Sequence, residues 1–449
     1  MANQPGINFN VANGQLGTPL DGEDHISGFI TYKNELPAFA TLTAWVTSTV
    51  YALGVIRKIN GRVYECIEAH TSGTFATDLA AAKWIELTDL SYRCKAIFSL
   101  AEAETAGIIE GDANWGVLWY HLYECFRINP KAEVNVYIAP VPASTYDFAE
   151  ITALRAFTGG RVRQVAIYAP ALTYAKAQVG TIQALCNTAR TDKQPLSVLY
   201  AANFAAVTDW SAAEGAGGAD SLALLTSDAP SVSVVIGQDG AARGAALYTA
   251  LGYSITCIGA LLGAVSRAKV NYSIAWVSQF QLSDGTELNV PALANGQLWR
   301  TFSVGFLDAL HTKRFIFIKK FTGNAGTYFN DDHTATALTN DYAYISRTRA
   351  IDKAIRSLYA RLLPEVNAPV LVNATTGRLS REYIEYLKGL GDKALGDMVG
   401  AGELSGGQTV INPTQNVNST SLIVVGAELV PIGVSRTITV NIGFKTQLS

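Results

Sequence analysis

Asp341-Tyr342-Ala343-Tyr344-Ile345-Ser346-Arg347-Thr348-Arg349-Ala350-Ile351-Asp352-Lys353-Ala354-Ile355-Arg356 opens the C-terminal part of this 449-residue chain, and Ser435-Arg436-Thr437-Ile438-Thr439-Val440-Asn441-Ile442-Gly443-Phe444 closes it. The first stretch predicts an amphipathic helix. Ile351, Ile355, Leu358 and Leu362 repeat with the period of one helical face, while Arg347, Arg349, Lys353, Arg356 and Arg361 cover much of the rest. Pro364 should end that helix, because proline supplies no backbone donor. The second stretch has a period of two. Val434, Ile438, Val440, Ile442 and Phe444 fall on one side and Ser435, Thr437, Thr439 and Asn441 on the other, which predicts a strand. Arg436 alone interrupts the apolar side.

The other end mirrors this one. Ile7, Phe9 and Val11 alternate with polar residues between Pro5 and Gly14. Free ends fray unless something ties them down. Two such strands therefore pair either with the chain's own sheet or with a sheet of a neighbouring copy, where main-chain hydrogen bonds would give directional assembly.

Between the ends, short β-rich runs alternate with helical ones. Strands are expected at Ile26–Tyr32, Val134–Ala139, Val165–Tyr168, Leu196–Tyr200 and Val232–Ile236. Helices are expected near Asn114–Ile128, Tyr174–Ala189 and Ala241–Val265, and after Ser99, where Glu102 completes a capping box and Gly107 stops the helix. This alternation predicts an α/β layer on a mainly parallel sheet, within a mixed α/β (α+β), multi-domain chain. Further strands are expected at Phe315–Ile318 and Pro369–Val372. A helix capped by Ser380 should follow, with Ile384, Leu387, Leu395 and Met398 on one side, and Gly402, Gly406 and Gly407 should loop into the terminal β segment.

Composition narrows the function. Hydrophobic residues make up 49% and charged residues 16%, a low charge content that suits a chain burying surface against copies of itself, although a compact enzyme would also fit. The formal net charge of -3 gives no basic footprint for nucleic acid. The five cysteines are scattered and lack CxxC spacing, which reads as buried thiols in a reducing compartment. Met1–Pro5 shows no signal-peptide pattern. The apolar run Ala245–Val265 contains Tyr248, Thr249, Ser254, Thr256 and glycines, so it is expected to be a buried helix and not a membrane span.

The search for chemistry yields no named catalytic residue. Gly237-Gln238-Asp239-Gly240 with Gly244 lacks the Gly-Lys-Ser/Thr ending of a phosphate loop and reads as a structural turn. Asp331-Asp332-His333 offers ligand types without a partner motif, and no metal or cofactor is assigned to it. The Gly-x-Ser-x-Gly and HExxH patterns are absent from the sequence. The basic helix admits two readings. It is either a solvated face with intrahelical pairs such as Asp352–Arg356, or a docking surface.

Residues 43–90 stand apart as a dense aromatic β pattern, with Asn60-Gly61 as a two-residue hairpin signal. Trp45, Tyr51, Tyr64 and Trp84 either form the minimal core of a small unit or stack on sugar rings. The spacing of Ala44-Trp45, Val50-Tyr51, Gly54, Gly61, Tyr64 and Trp84 resembles small chitin-binding-type carbohydrate modules, which implies possible glycan contact.

An ordered set of stretches carries a wider resemblance. It runs through Asp24-His25-Ile26-Ser27-Gly28-Phe29-Ile30, Ile97-Phe98-Ser99-Leu100-Ala101-Glu102-Ala103-Glu104-Thr105-Ala106-Gly107-Ile108, Gly326-Thr327-Tyr328-Phe329-Asn330-Asp331-Asp332, Asp341-Tyr342 and Arg349-Ala350-Ile351-Asp352-Lys353-Ala354. In this order they resemble the contractile-tail sheath proteins of phages and phage-derived injection systems, over most of the chain outside 43–90. The resemblance implies an N-terminal β arm at 1–20, a core at 21–42 and 91–335, the insert at 43–90, an inner C-terminal domain at 336–420 and a C-terminal β arm at 421–449. It implies a structural, non-enzymatic subunit without cofactor, assembled in the bacterial host cytoplasm into a virion tail or injection-system particle. Its partners would be itself, as a helical homo-polymer or stacked hexameric rings, an inner tail tube protein, and baseplate and tail terminator proteins, with no nucleic acid or membrane. Ile7, Phe9, Val11, Val434, Ile438, Val440, Ile442 and Phe444 would exchange strands between subunits, and Arg347, Arg349, Lys353 and Arg356 would face the tube. Two alternatives stay open: a glycan-binding tail or surface protein built on 43–90, and a soluble α/β enzyme with an appended sugar module.

Overall fold

The computed structural model describes residues 23–36, 42–60, 62–87, 90–207, 224–440 and 442. Its centre is a six-stranded sheet. In chain order the strands are β1 (Ile26–Tyr32), β2 (Cys94–Ile97), β3 (Glu133–Ala139), β4 (Gln164–Thr173), β5 (Ser197–Asn203) and β6 (Val232–Val234). They lie side by side as β6-β5-β4-β1-β3-β2. All neighbours run parallel except β2, which closes the β3 edge antiparallel. The first described strand thus sits in the middle, with Phe29 opposite Val136 on one side and Ala166 on the other. This is the mixed α/β architecture with a mainly parallel sheet that the alternation predicts.

Burial on both faces explains why these strands read as nearly continuous apolar runs. Phe29, Val136, Ala166 and Leu199 face helices α1 (Gly116–Ile128) and α2 (Ile258–Arg267). Ile30, Val165, Ile167 and Val198 face the opposite layer, where Ile151 and Leu154 of helix Glu150–Phe157 meet Val179 and Ile182 of helix Lys176–Thr191. Polar side chains also sit inside, and some pair across strands: Gln164 Nε2 donates to Ser27 Oγ at 2.8 Å. All five cysteines are free and buried.

The single helix expected over Ala241–Val265 is two helices, Arg243–Leu251 and α2. Gly252 ends the first at φ +71°, a left-handed cap that favours glycine. The polar residues after it are bonded to the sheet region: Ser254 Oγ donates to the Ala294 carbonyl at 2.6 Å, and Ile255 N donates to Gln238 Oε1 at 2.8 Å. Among the described residues no helix is long and apolar enough to cross a membrane.

Residues 44–87 form small antiparallel sheets. Ile56–Ile59, Arg62–Cys66 and Trp84–Glu86 make one, and Val50–Tyr51 pairs with His70–Thr71 in another. Ile59 pairs directly with Arg62, and Asn60 has φ +47°, as the two-residue hairpin requires. The capped helix of the sequence is Leu100–Thr105. Ser99 Oγ accepts from Glu102 N at 3.3 Å, while the Glu102 carboxylate accepts from Phe98 N, one residue before the cap.

At the C-terminal end, α3 (Ile345–Leu362) packs beside α4 (Arg381–Gly400), and a hairpin of β7 (Leu404–Ile411) and β8 (Val425–Pro431) lies on α4. Helix α3 starts at Ile345 and not at Asp341, because the preceding residues are occupied by the Tyr344–His333 bridge. Three expectations are corrected here. Pro369–Val372 is no strand and forms only the bridge Val372–Leu379. Gly406 and Gly407 are not loop residues but lie within β7. A Cβ on Gly407 would stand 3.1 Å from Leu395 Cβ, so this glycine serves close packing on α4. Phe315–Ile318 contributes only a bridge from Ile316 to Val235 and the short pair Ile318–Lys319 with Tyr328–Phe329. All four of its residues are buried nonetheless.

A candidate assembly site at the C-terminal arm

Beyond Pro431 the chain leaves the hairpin, and residues 432–440 form no helix and no ladder with the described residues. Over residues 434–440 the alternating run predicted as a strand is therefore without a ladder partner among the described residues. Its apolar side chains are open: Val434 is 37% exposed, Ile438 81%, Val440 69% and Ile442 93%. A strand needs a partner edge, and here none of the described strands supplies one.

Arg436 ties this arm to the body through polar contacts. Its Nε donates to both carboxylate oxygens of Asp331 at 3.1 Å, and Nη2 donates to Asp332 Oδ1 at 2.7 Å. The guanidinium carbon lies 3.3 Å from the centre of the Tyr344 ring. Planar, forked donors over two carboxylates and an aromatic face are the geometry that favours arginine over lysine. Asp332 is fully buried and itself fixed: it accepts from Ser346 N at 3.1 Å, Ser346 Oγ at 2.6 Å and Ser273 Oγ at 3.0 Å. Burial pushes the Asp331 carboxyl up, and the adjacent Asp332 adds to this. In Asp332 burial is outweighed by Asp331, Arg436 and Ser346, so Asp332 is the member held ionised.

His311, Asp331 and His333 lie beside the same spot, with ligand-type atoms within 4.8 Å of one another. The set is already engaged. Asp331 carries Arg436, and His311 Nδ1 is 3.2 Å from both Asn330 Nδ2 and His333 Nε2. Burial together with Lys319 and Arg314 pushes His311 down to about 4, and burial drives His333 down as well. Both rings are thus neutral at pH 7 and do not oppose the guanidinium of Arg436.

The basic helix α3 is mostly turned inward. Arg349 is buried and donates to the carbonyls of Ala268 and Asp24, both at 3.1 Å. Lys353 and Arg356 reach the Asp24 carboxylate, each at 2.7 Å, and Lys353 also pairs with Glu403. Burial alone would raise Asp24, but Lys353, Arg356 and Arg349 pull it below the usual carboxylate range. The expected Asp352–Arg356 pair is not formed; Asp352 is buried and accepts from Arg190 Nη2 at 2.9 Å. Arg347 is the exposed member of the four cations, and its guanidinium carbon lies 5.5 Å from the Tyr344 ring centre. The predicted apolar face, Ile351, Ile355, Leu358 and Leu362, is only half-buried. Asp24 and Glu403, the partners of this helix, carry no local signal in the sequence.

The four candidate glycan residues lie together. Tyr51, Tyr64 and Trp84 are buried, and Trp45 packs against them. Tyr51 meets Trp84 edge to face at 5.0 Å, and Trp84 Nε1 donates to His70 Nε2 at 3.2 Å. Ile7, Phe9, Val11 and Phe444 lie outside the described residues.

DUF2586, N-terminal domain, matches residues 68–333, and DUF2586, C-terminal domain, matches residues 341–449. No curated protein matches the chain in sequence. A chain in the cryo-EM structure of the anti-feeding prophage (AFP) baseplate superposes with a TM-score of 0.57 at 11% identity, covering 99% of this chain and 100% of that one. The sheath tail protein DSY3957 from Desulfitobacterium hafniense gives a TM-score of 0.46 at 10% identity, covering 95% of this chain and 100% of that one. The sheath tail protein Lin1278 from Listeria innocua gives 0.45 at 9% identity, covering 76% and 91%.

Proposed function

From the premise that the chain belongs to the DUF2586 family and shares its fold with a chain of the anti-feeding prophage baseplate, we propose that it is a structural subunit of a contractile tail sheath. Copies polymerise around an inner tube, and the terminal arms add strands to the sheets of neighbouring subunits. Contraction repacks subunits as rigid bodies and drives the tube into a target envelope, with free energy stored at assembly. The partners are further copies of the chain, the tube protein, and the baseplate and terminator proteins of a phage tail or injection-system particle.

The observation that carries this reading is the C-terminal arm. Ile438, Val440 and Ile442 repeat with strand period, are widely exposed, and have no strand partner among the described residues. Such an edge in a lone chain invites association, and strand addition satisfies both its backbone and its apolar side. Of the four α3 cations Arg347 is the exposed one, which supports it as the residue that meets the tube.

Negative-stain electron microscopy across a concentration series tests the proposal. The full chain should form hollow cylinders or stacked rings. A chain ending at Arg436 should keep the same melting temperature and remain dispersed. If the shortened chain still builds tubes as long as those of the full chain, the arm is not the link.

A further inference from the structure

We propose that Asp331, Asp332 and the Tyr344 ring form a guanidinium socket that anchors the arm to its own body at Arg436, so that the segment offered to a second copy begins at Thr437. The inference rests on the assembly reading above and adds where the arm is fixed.

The arm's pattern and its contacts agree on this point. Arg436 breaks the apolar side of the alternation Val434, Ile438, Val440, Ile442. A guanidinium on that side would be buried against apolar neighbours in an added strand, at a large desolvation cost. Its three hydrogen bonds to the two carboxylates satisfy it on its own body instead. The Arg436 side chain is only 24% exposed although it lies in an open stretch of chain, and Ile438, two residues on, is widely exposed.

The socket is built independently of its occupant. Ser346 and Ser273 fix Asp332, and Tyr344 is held as the residue preceding α3, with Arg314 on its ring at 4.8 Å. Two adjacent buried carboxylates without a cation are unfavourable, so the site calls for a forked cation at this place. In a polymer that cation could also be Arg436 of a second copy, and the experiment separates the two cases.

Arg436 is itself a trypsin site, and a guanidinium seated in the socket cannot enter the protease. Full-length chain, kept dilute and verified as monomer by sedimentation, is digested briefly, and the cut after Arg436 is followed by mass spectrometry. In wild type this cut should be slow. Asp331→Asn should accelerate it by at least about tenfold, as a locally opened state is cleaved in proportion to its population. Arg436→Lys keeps the charge and a trypsin site on the arm without touching the body, so it reports even if Asp331→Asn fails to fold; it should be cut faster too. Equal rates in all three proteins overturn the anchor. A fast cut in wild-type monomer with protection only in polymer also overturns it, and assigns the socket to a second copy. A protected monomer that never polymerises leaves the anchor standing and removes the assembly reading.

Discussion

Gly259 of α2 lies directly against the backbone of His121 in α1: a Cβ at Gly259 would fall 2.2 Å from the His121 carbonyl oxygen. One turn on, a Cβ at Gly263 would fall 2.6 Å from the Cys125 carbonyl oxygen. Backbone cannot yield as a flexible side chain can. Gly259→Ala is therefore expected to force the two helices apart and to destabilise the protein by about 3 kcal/mol or more, the upper range for overpacking a close-packed core. Gly180 is the control, since nothing lies within 4 Å of the Cβ position in helix Lys176–Thr191. Gly180→Ala should stabilise by roughly 0.5–1 kcal/mol through helix propensity. Chemical denaturation of both variants checks the contrast.

His121 sets an acid limit on this same helix pair. It is fully buried, its ring nitrogens have no hydrogen-bond partner among the described residues, and burial pushes it down to about 3. A folded state that binds the proton less readily than the unfolded chain is favoured above the unfolded pKa, and that advantage is lost as pH falls. Stability should therefore be level with respect to this residue above about pH 6.5 and decline below it, by about 2 kcal/mol at pH 5. His121→Leu, of similar volume, should remove this slope and move the acid unfolding midpoint to lower pH. Urea titrations at a series of pH values read it out.

Asp24 joins the start of β1 to α3. It accepts Lys353 and Arg356 through its carboxylate and Arg349 through its carbonyl. Asp24→Ala leaves Lys353 and Arg356 without their shared carboxylate, while Arg349 keeps the backbone carbonyl, and a loss of about 3 kcal/mol is expected, as when one partner of a buried pair is removed. The folded carboxylate is held below its usual range. Its contribution is hence present above about pH 4 and lost as pH falls through the folded value. Adding salt should weaken the wild type little, because the group is mostly shielded from solvent. Melting curves of wild type and variant at two ionic strengths check this.

These cases show which parts of the molecule are legible in its sequence. Period and capping chemistry are local, so β1, β3, β4, β5, α1 and the Ser99 and Ser380 caps can be read from neighbouring residues. The break at Gly252 is hidden because Ser254 and Ile255 find partners in distant segments of the chain, at Ala294 and Gln238. Gly407 looks like a turn residue until Leu395 is placed beneath it. In the basic helix, periodicity marks Ile351 and Ile355 as the inner face, yet Arg349 and Asp352 are buried more deeply because Asp24 and Arg190 come from remote segments to meet them. The aromatic residues of the insert fit both readings in sequence, and only packing places Trp84 beneath Tyr51. The arm is the opposite case: Arg436, the one break in its period, is a residue that bonds to the body.

The arm also offers the sharpest separation of assembly from folding. Ile438 and Val440 lie past the Arg436 contact and are 81% and 69% exposed, so a polar replacement there removes little packing from the lone chain. Ile438→Asp and Val440→Asp should each change stability by no more than about 0.5 kcal/mol, as exposed substitutions do. In an added strand both side chains would face an apolar surface, where a carboxylate is strongly disfavoured. Both variants should therefore melt like wild type in dilute solution and fail to sediment as polymer at concentrations where wild type does. Ser435→Asp, on the polar side and before the anchor, should sediment as wild type. Loss of assembly in all three would point to a general charge effect, and its retention in all three would place the subunit contact elsewhere on the chain.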